Sequence, residues 1–68
     1  MKGTVARVTE ISATSETSFE DAIAIGIARA GETLHNIKSA WVKEQHVDMN
    51  DGHVARYRVD MLVTFVLD

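Results

Sequence analysis

The chain has 68 residues, no cysteine and a formal net charge of −3, which predicts one small domain without disulfides. The acidic balance argues against a nucleic-acid partner, and no apolar run approaches the ~20 residues of a membrane span. The first residues lack the apolar core of a signal peptide, which predicts a cytoplasmic protein. Because a domain near this size is marginally stable alone, oligomerisation is the expected source of further stability.

The first half of the chain predicts a strand, a loop and a helix. Residues 2–11 are rich in Val, Thr and Ile and predict a strand. The hydroxyl-rich residues 12–18 predict a loop, and Ser18 is the expected helix N-cap. Apolar residues at spacings of three and four then predict a helix over residues 19–34. Its apolar face comprises Phe19, Ile23, Ile27, Ala30 and Leu34.

Gly26 interrupts the helical pattern. Glycine costs about 1 kcal/mol of helix propensity relative to alanine, so we expect it where the helix lies close to a sheet. The alternative is that the glycine is merely tolerated.

The second half predicts a hairpin. Residues 37–48 predict a second strand and residues 53–67 a third, and Asp51 and Gly52 between them are able to take positive φ. Alternate residues of the third strand are apolar and form the expected helix-facing side. These residues are Tyr57, Val59, Met61, Val63, Phe65 and Leu67. The end of this strand is apolar on its other side too, and since one helix cannot cover both faces of a sheet, self-association is expected.

The predicted fold class is therefore α+β, with a β-α-β-β order in a single domain of residues 1–68. If the first strand pairs with the third, the sheet is antiparallel with the order 1-3-2. One helix packs on it.

Three segments together resemble the dodecin family: TSETSFEDA at the helix start, ARAGETLHNI after it, and GHVARYRVDMLVTFVLD at the carboxyl end. The resemblance runs from about Val5 to the last residue. It implies a hollow homododecamer, in which the chain is its own partner, that binds or stores a small ligand or ion and is not an enzyme.

The resemblance also implies positions for ligand contacts. In flavin-binding dodecins a tryptophan stacks on the isoalloxazine ring and a glutamine binds the ring edge. These positions fall on Ser39 and Arg58 here, so both flavin-contacting side chains are replaced. The pattern is similar to a dodecin subset linked to calcium. We therefore expect calcium or another cation rather than flavin (FMN or riboflavin) bound in the usual mode.

Trp41 lies two residues beyond Ser39, and residues two apart on a strand share a face. Ser39, Trp41 and Arg58 are thus the expected ligand-binding positions. Trp41 either stacks on a ligand, which allows a flavin-storage alternative, or packs in an interface or the core. An assembly without any ligand is a further alternative.

The hairpin offers oxygen ligands in Asp48, Asn50 and Asp51, which suit calcium. The acidic residue that would complete an EF-hand is absent, so a plain hairpin turn is the competing interpretation. Among the histidines (35, 46 and 53), His46 and His53 are placed to face each other across the hairpin, as a metal pair or as solvated surface.

Arg56, Arg58 and Asp60 alternate along one face of the third strand. They indicate salt bridges, or alternatively a clamp for phosphate, which arginine binds through two parallel hydrogen bonds. No pairing of a nucleophile with a base stands out, which agrees with a protein that is not an enzyme.

Overall fold

The structure, a computed structural model, describes residues 3–67; residue 2 of the predicted first strand and both ends of the predicted domain lie outside the described residues. It contains β1 (Ala6–Ser15), α1 (Phe19–Ala30), β2 (Ile37–Asn50) and β3 (His53–Val66). The strands form one antiparallel sheet in the order β1-β3-β2. The predicted fold class and strand order are confirmed.

β1 extends to Ser15, so the prediction of a loop from residue 12 is wrong. Ala13 and Ser15 are buried, whereas Ser12 and Thr14 are exposed. The hydroxyl side chains at alternate positions face solvent and do not disturb the backbone hydrogen bonds between the strands. The segment is therefore a strand despite its loop-like composition.

α1 begins at Phe19, and the Ser18 hydroxyl accepts a hydrogen bond from the Asp21 amide at 3.0 Å, as predicted for an N-cap. The helix ends at Ala30 rather than at residue 34. Gly31, a weak helix former, follows it, and Leu34 comes after the turn of residues 31–33.

The helix packs on β1 and β3 through its smallest residues. Its buried residues are Ala22, Gly26 and Ala30. The larger residues of the predicted apolar face lie beside this contact and are partly buried: Phe19, Ile23 and Ile27. A Cβ placed on Gly26 would lie 2.6 Å from Met61 Cε and 3.0 Å from Ala13 Cβ, which confirms the predicted close approach.

β3 provides the centre of the core. The buried residues on its helix-facing side are Val59, Met61 and Val63. Tyr57 and Phe65, also predicted on this side, are only partly buried. Leu67 lies beyond the end of β3 and is exposed. The prediction that it belongs to the helix-facing side of the strand is therefore wrong.

The β2–β3 hairpin closes as predicted through a two-residue loop. Asp51 (φ 51°) and Gly52 (φ 77°) are both left-handed, and Asn50 pairs with His53. Two positive φ angles identify the turn type that matches the twist of a hairpin. β2 extends two residues beyond its predicted end, to Asn50.

β2 lies beside the area that the helix covers. All its residues except Ile37 and Asp48 are exposed. Apolar side chains project from both of its sides, with Trp41 49% exposed and Val42 39% exposed. The least covered strand of the sheet thus carries the tryptophan.

Candidate ligand-binding face

The side of the sheet opposite α1 is termed the open face. Because Val59, Met61 and Val63 are buried on the helix side, the residues between them project from the open face. Cross-strand pairing arranges these residues in rows. From the hairpin outward the rows are Arg56–Asp48, Thr14–Arg58–His46, Ser12–Asp60–Glu44, Glu10–Leu62–Trp41 and Val8–Thr64–Ser39.

Trp41 and Ser39 share the open face, as predicted. Trp41 pairs with Leu62 and Ser39 with Thr64, and no register shift separates them. Trp41 is half exposed, so packing in the subunit core is excluded. Trp41 therefore either packs in an interface between subunits or stacks on a ligand.

Arg58 is on the same face but at a distance from Trp41. It lies four residues from Leu62 along β3, which is about 13 Å at the usual rise of a strand. Within one subunit, Trp41 and Arg58 therefore contact one ligand only if that ligand spans this distance.

Asp48 joins two arginines at the hairpin end of the open face. Arg58 Nη2 donates to Asp48 Oδ2 at 2.9 Å, and Arg56 Nε lies 3.5 Å from the same oxygen. The predicted salt bridges are therefore present, but Asp48 provides them, since Asp60 has no ion pair within residues 3–67. Arg58 Nε is buried and has no hydrogen-bond partner in the described part of the chain.

A bulge in β2 creates a second charged contact. The ladder skips Lys43, whose Nζ lies 3.4 Å from Glu10 Oε1. Glu10 shares its row with Trp41, so this ion pair borders the apolar patch that Trp41 forms with Leu62. Sequence spacing did not reveal it, because the bulge changes the register of the strand.

The expected calcium ligands do not form a complete set in one subunit. Asp48 is paired with arginines, and among residues 3–67 no three His, Cys, Asp or Glu side chains are placed to hold a metal ion. Asp48 and Asn50 do line a groove of about 440 Å³. Glu16 lines it as well and was missed by sequence reasoning, because only the sheet brings the end of β1 beside the hairpin.

The prediction that His46 and His53 face each other is wrong. His46 pairs with Arg58, and His53 pairs with Asn50 next to the turn. Because the two-residue turn pairs His53 with Asn50, His46 lies four residues further along β2 from that pair.

No helix within the described residues is long and apolar enough to cross a bilayer.

The topology and the open face define a class of small α+β proteins in which one helix covers one side of a three-stranded sheet. The chain belongs to the dodecin family, whose sequence profile matches residues 5–68.

Solved structures agree with this assignment. The dodecin from Streptomyces davaonensis is 42% identical, with a TM-score of 0.93 and coverage of 98% of each chain. A variant of the dodecin from Thermus thermophilus is 35% identical, with a TM-score of 0.92 and coverage of 97% of this chain and 98% of that one.

The third comparison is a calcium dodecin from Mycobacterium tuberculosis, described as calcium-chelating with a calcium-binding site. It is 33% identical, with a TM-score of 0.83 and coverage of 94% of this chain and 91% of that one. A comparison with curated proteins finds no significant match. Dodecins are generally non-enzymatic binders of flavin or ions and assemble as homo-oligomers.

Proposed function

We propose that the chain assembles into a hollow homododecamer in the cytoplasm and binds a small ligand or ion on the open face, without enzymatic activity. The observation that carries this proposal is the exposure of β2, which presents Trp41 on one side and Val42 and Val47 on the other. Apolar side chains on both sides of one strand require a cover that a single helix does not provide.

The size of the subunit core supports assembly. The largest fully buried side chains are Met61, Val59 and Val63, and the buried residues of the helix are the small Ala22, Gly26 and Ala30. Further apolar surface lies in a groove of about 550 Å³ between β1 and α1, lined by Ile11, Ile25 and Leu34 among others. Association of copies would bury this surface and stabilise a domain of 68 residues.

Binding on the open face is proposed to differ from the usual flavin mode. Ser39 has no aromatic face to stack on a ring, and Arg58 is held by Asp48. A cation is supported by the calcium dodecin from Mycobacterium tuberculosis, and Glu16, Asp48 and Asn50 in the hairpin groove would supply oxygens for it only if Asp48 left its two arginines. Calcium takes six to eight oxygens, so further ligands would have to come from a second subunit or water.

A flavin-storage function is the second candidate, and Trp41 is the observation that favours it. The indole is half exposed, lies on the same face as Ser39 and sits next to the apolar Leu62. Stacking on Trp41 would displace a flavin by two residues along β2. A yellow protein as purified would support this candidate.

The proposal is tested first by mass. Size-exclusion chromatography with light scattering should give about 90 kDa, which is twelve chains of 7.5 kDa. A folded monomer at micromolar concentration would contradict the proposal. Metal analysis after dialysis, together with the visible absorption spectrum, then distinguishes an ion-binding shell, a flavin-binding shell and an assembly without ligand.

A further inference from the structure

We propose that Arg56 and Arg58 form a binding site for an oxyanion, the phosphate or carboxylate group of a small ligand, with Asp48 as a built-in counter-ion. The inference rests on the proposed function, in which the open face takes a ligand. It names the chemical class of that ligand at the hairpin end.

Arg56 and Arg58 carry more positive charge than Asp48 balances. Two guanidinium groups converge on one oxygen of Asp48, at 2.9 Å from Arg58 Nη2 and 3.5 Å from Arg56 Nε. One carboxylate balances only one of the two positive charges. The arginine side chains are 56% and 38% exposed, so an anion from solvent can approach them.

Arg58 also has a hydrogen-bond donor, Nε, that Asp48 does not use. Nε and Nη2 lie on the same edge of the guanidinium, the edge that binds two oxygens of a carboxylate or phosphate in parallel. Asp48 contacts this edge through Nη2 alone, and Nε is buried without a hydrogen-bond partner among residues 3–67. An oxyanion that replaces Asp48 on this edge would satisfy both donors.

The same contacts disfavour a cation at this position. Asp48 would be the central ligand of a calcium ion in the hairpin groove, yet its Oδ2 already lies against two positive charges. Apart from Asp48, Glu16 is the only carboxylate among residues 3–67 that lines the groove. The arginines therefore favour an anion over calcium at this end of the open face.

The test is calorimetric titration of the assembled protein with inorganic phosphate and, separately, with acetate and calcium, at constant ionic strength. The unmodified protein should bind phosphate, and a response to acetate as well would extend the class to carboxylates. Arg58→Gln should weaken phosphate binding by about tenfold or more, because it removes charge-assisted hydrogen bonds. Asp48→Asn should tighten it, because it removes the competing carboxylate.

Arg29→Gln is the matched control. Arg29 is an exposed helix residue paired with Glu32 at 3.2 Å, so this variant removes one positive charge elsewhere. Phosphate binding should be unchanged. An equal loss in Arg29→Gln would overturn the proposal, since binding would then reflect general charge.

Two other results would also overturn it: no phosphate binding by either the unmodified protein or Asp48→Asn, and calcium binding that Asp48→Asn abolishes. Light scattering on the same samples separates the two proposals. An assembled protein that ignores phosphate contradicts only the oxyanion site, whereas a monomer contradicts the proposed function.

Discussion

Gly26 and Met61 are in such close contact that even a methyl group on Gly26 would require the end of the Met61 side chain to move. A Cβ on Gly26 would lie 2.6 Å from Met61 Cε. Met61 is 1% exposed, so a shift of its terminal methyl group has to be accommodated within the core. The glycine therefore sets the distance between α1 and the sheet, and its cost in helix propensity is offset by core packing.

Gly26→Leu should lower the free energy of unfolding by about 1 to 3 kcal/mol, because the added side chain overpacks the contact with Met61 and Ala13. Chemical denaturation measures the change. Gly3→Leu is the control, since no atom lies within 4 Å of a Cβ at that position. An unchanged stability of Gly26→Leu would show that the helix is free to move away from the sheet.

Ser15→Ala should cost about 1 to 3 kcal/mol of stability. Ser15 is buried; its hydroxyl donates to Asp21 Oδ2 at 2.6 Å and accepts from the amide of Thr17 at 2.9 Å. The substitution removes both hydrogen bonds at the junction of β1 and α1. Ser12→Ala, on the exposed side of the same strand, should have little effect. Equal melting temperatures for the two variants would argue against a stabilising role for the Ser15 contacts.

Val42→Asp should reduce the assembled mass. Val42 is exposed on the helix side of β2, beside the area that α1 covers, and a carboxylate there would be costly to bury in a subunit interface. Light scattering at several protein concentrations measures the effect. Ala28→Glu, on an exposed position of α1, provides a control with the same added charge. If Val42→Asp retains the full mass, this side of β2 is outside the interface.

Riboflavin should bind weakly or not at all to the unmodified protein. Offset aromatic stacking adds about 0.5 to 1.5 kcal/mol beyond buried area, and Ser39 offers no ring for it. Arg58 only donates hydrogen bonds, whereas the glutamine in its family position donates and accepts. Quenching of flavin fluorescence measures the affinity.

Ser39→Trp combined with Arg58→Gln should strengthen flavin binding, provided that Trp41 leaves space for the ring. Trp41→Ala in the unmodified background is the companion variant. Tight quenching that Trp41→Ala removes would show that Trp41 has taken over the stacking role, and the second candidate function would then replace the first.

Local chemistry made several features predictable. The Asn-Asp-Gly segment, the Ser18 cap and the need for a small residue at Gly26 each depend on neighbours in sequence or on a single close contact. The shared face of Ser39 and Trp41 was also predictable, because no bulge lies between them. That both residues lie on the open face, however, follows only from the pairing of β2 with β3.

The sequence by itself determined the order of the elements, the hairpin and the resemblance that the family comparison confirms. Only the tertiary structure decided that β2 lies beside the area that the helix covers, that Glu16 reaches the hairpin groove and that one oxygen of Asp48 joins Arg56 to Arg58. The physical reason is that these contacts depend on strand register. The register shift between Asp48 and Met49 places Asp48 opposite Arg56, and further shifts at Lys38 and Lys43 set which side chains the rest of β2 meets across the sheet.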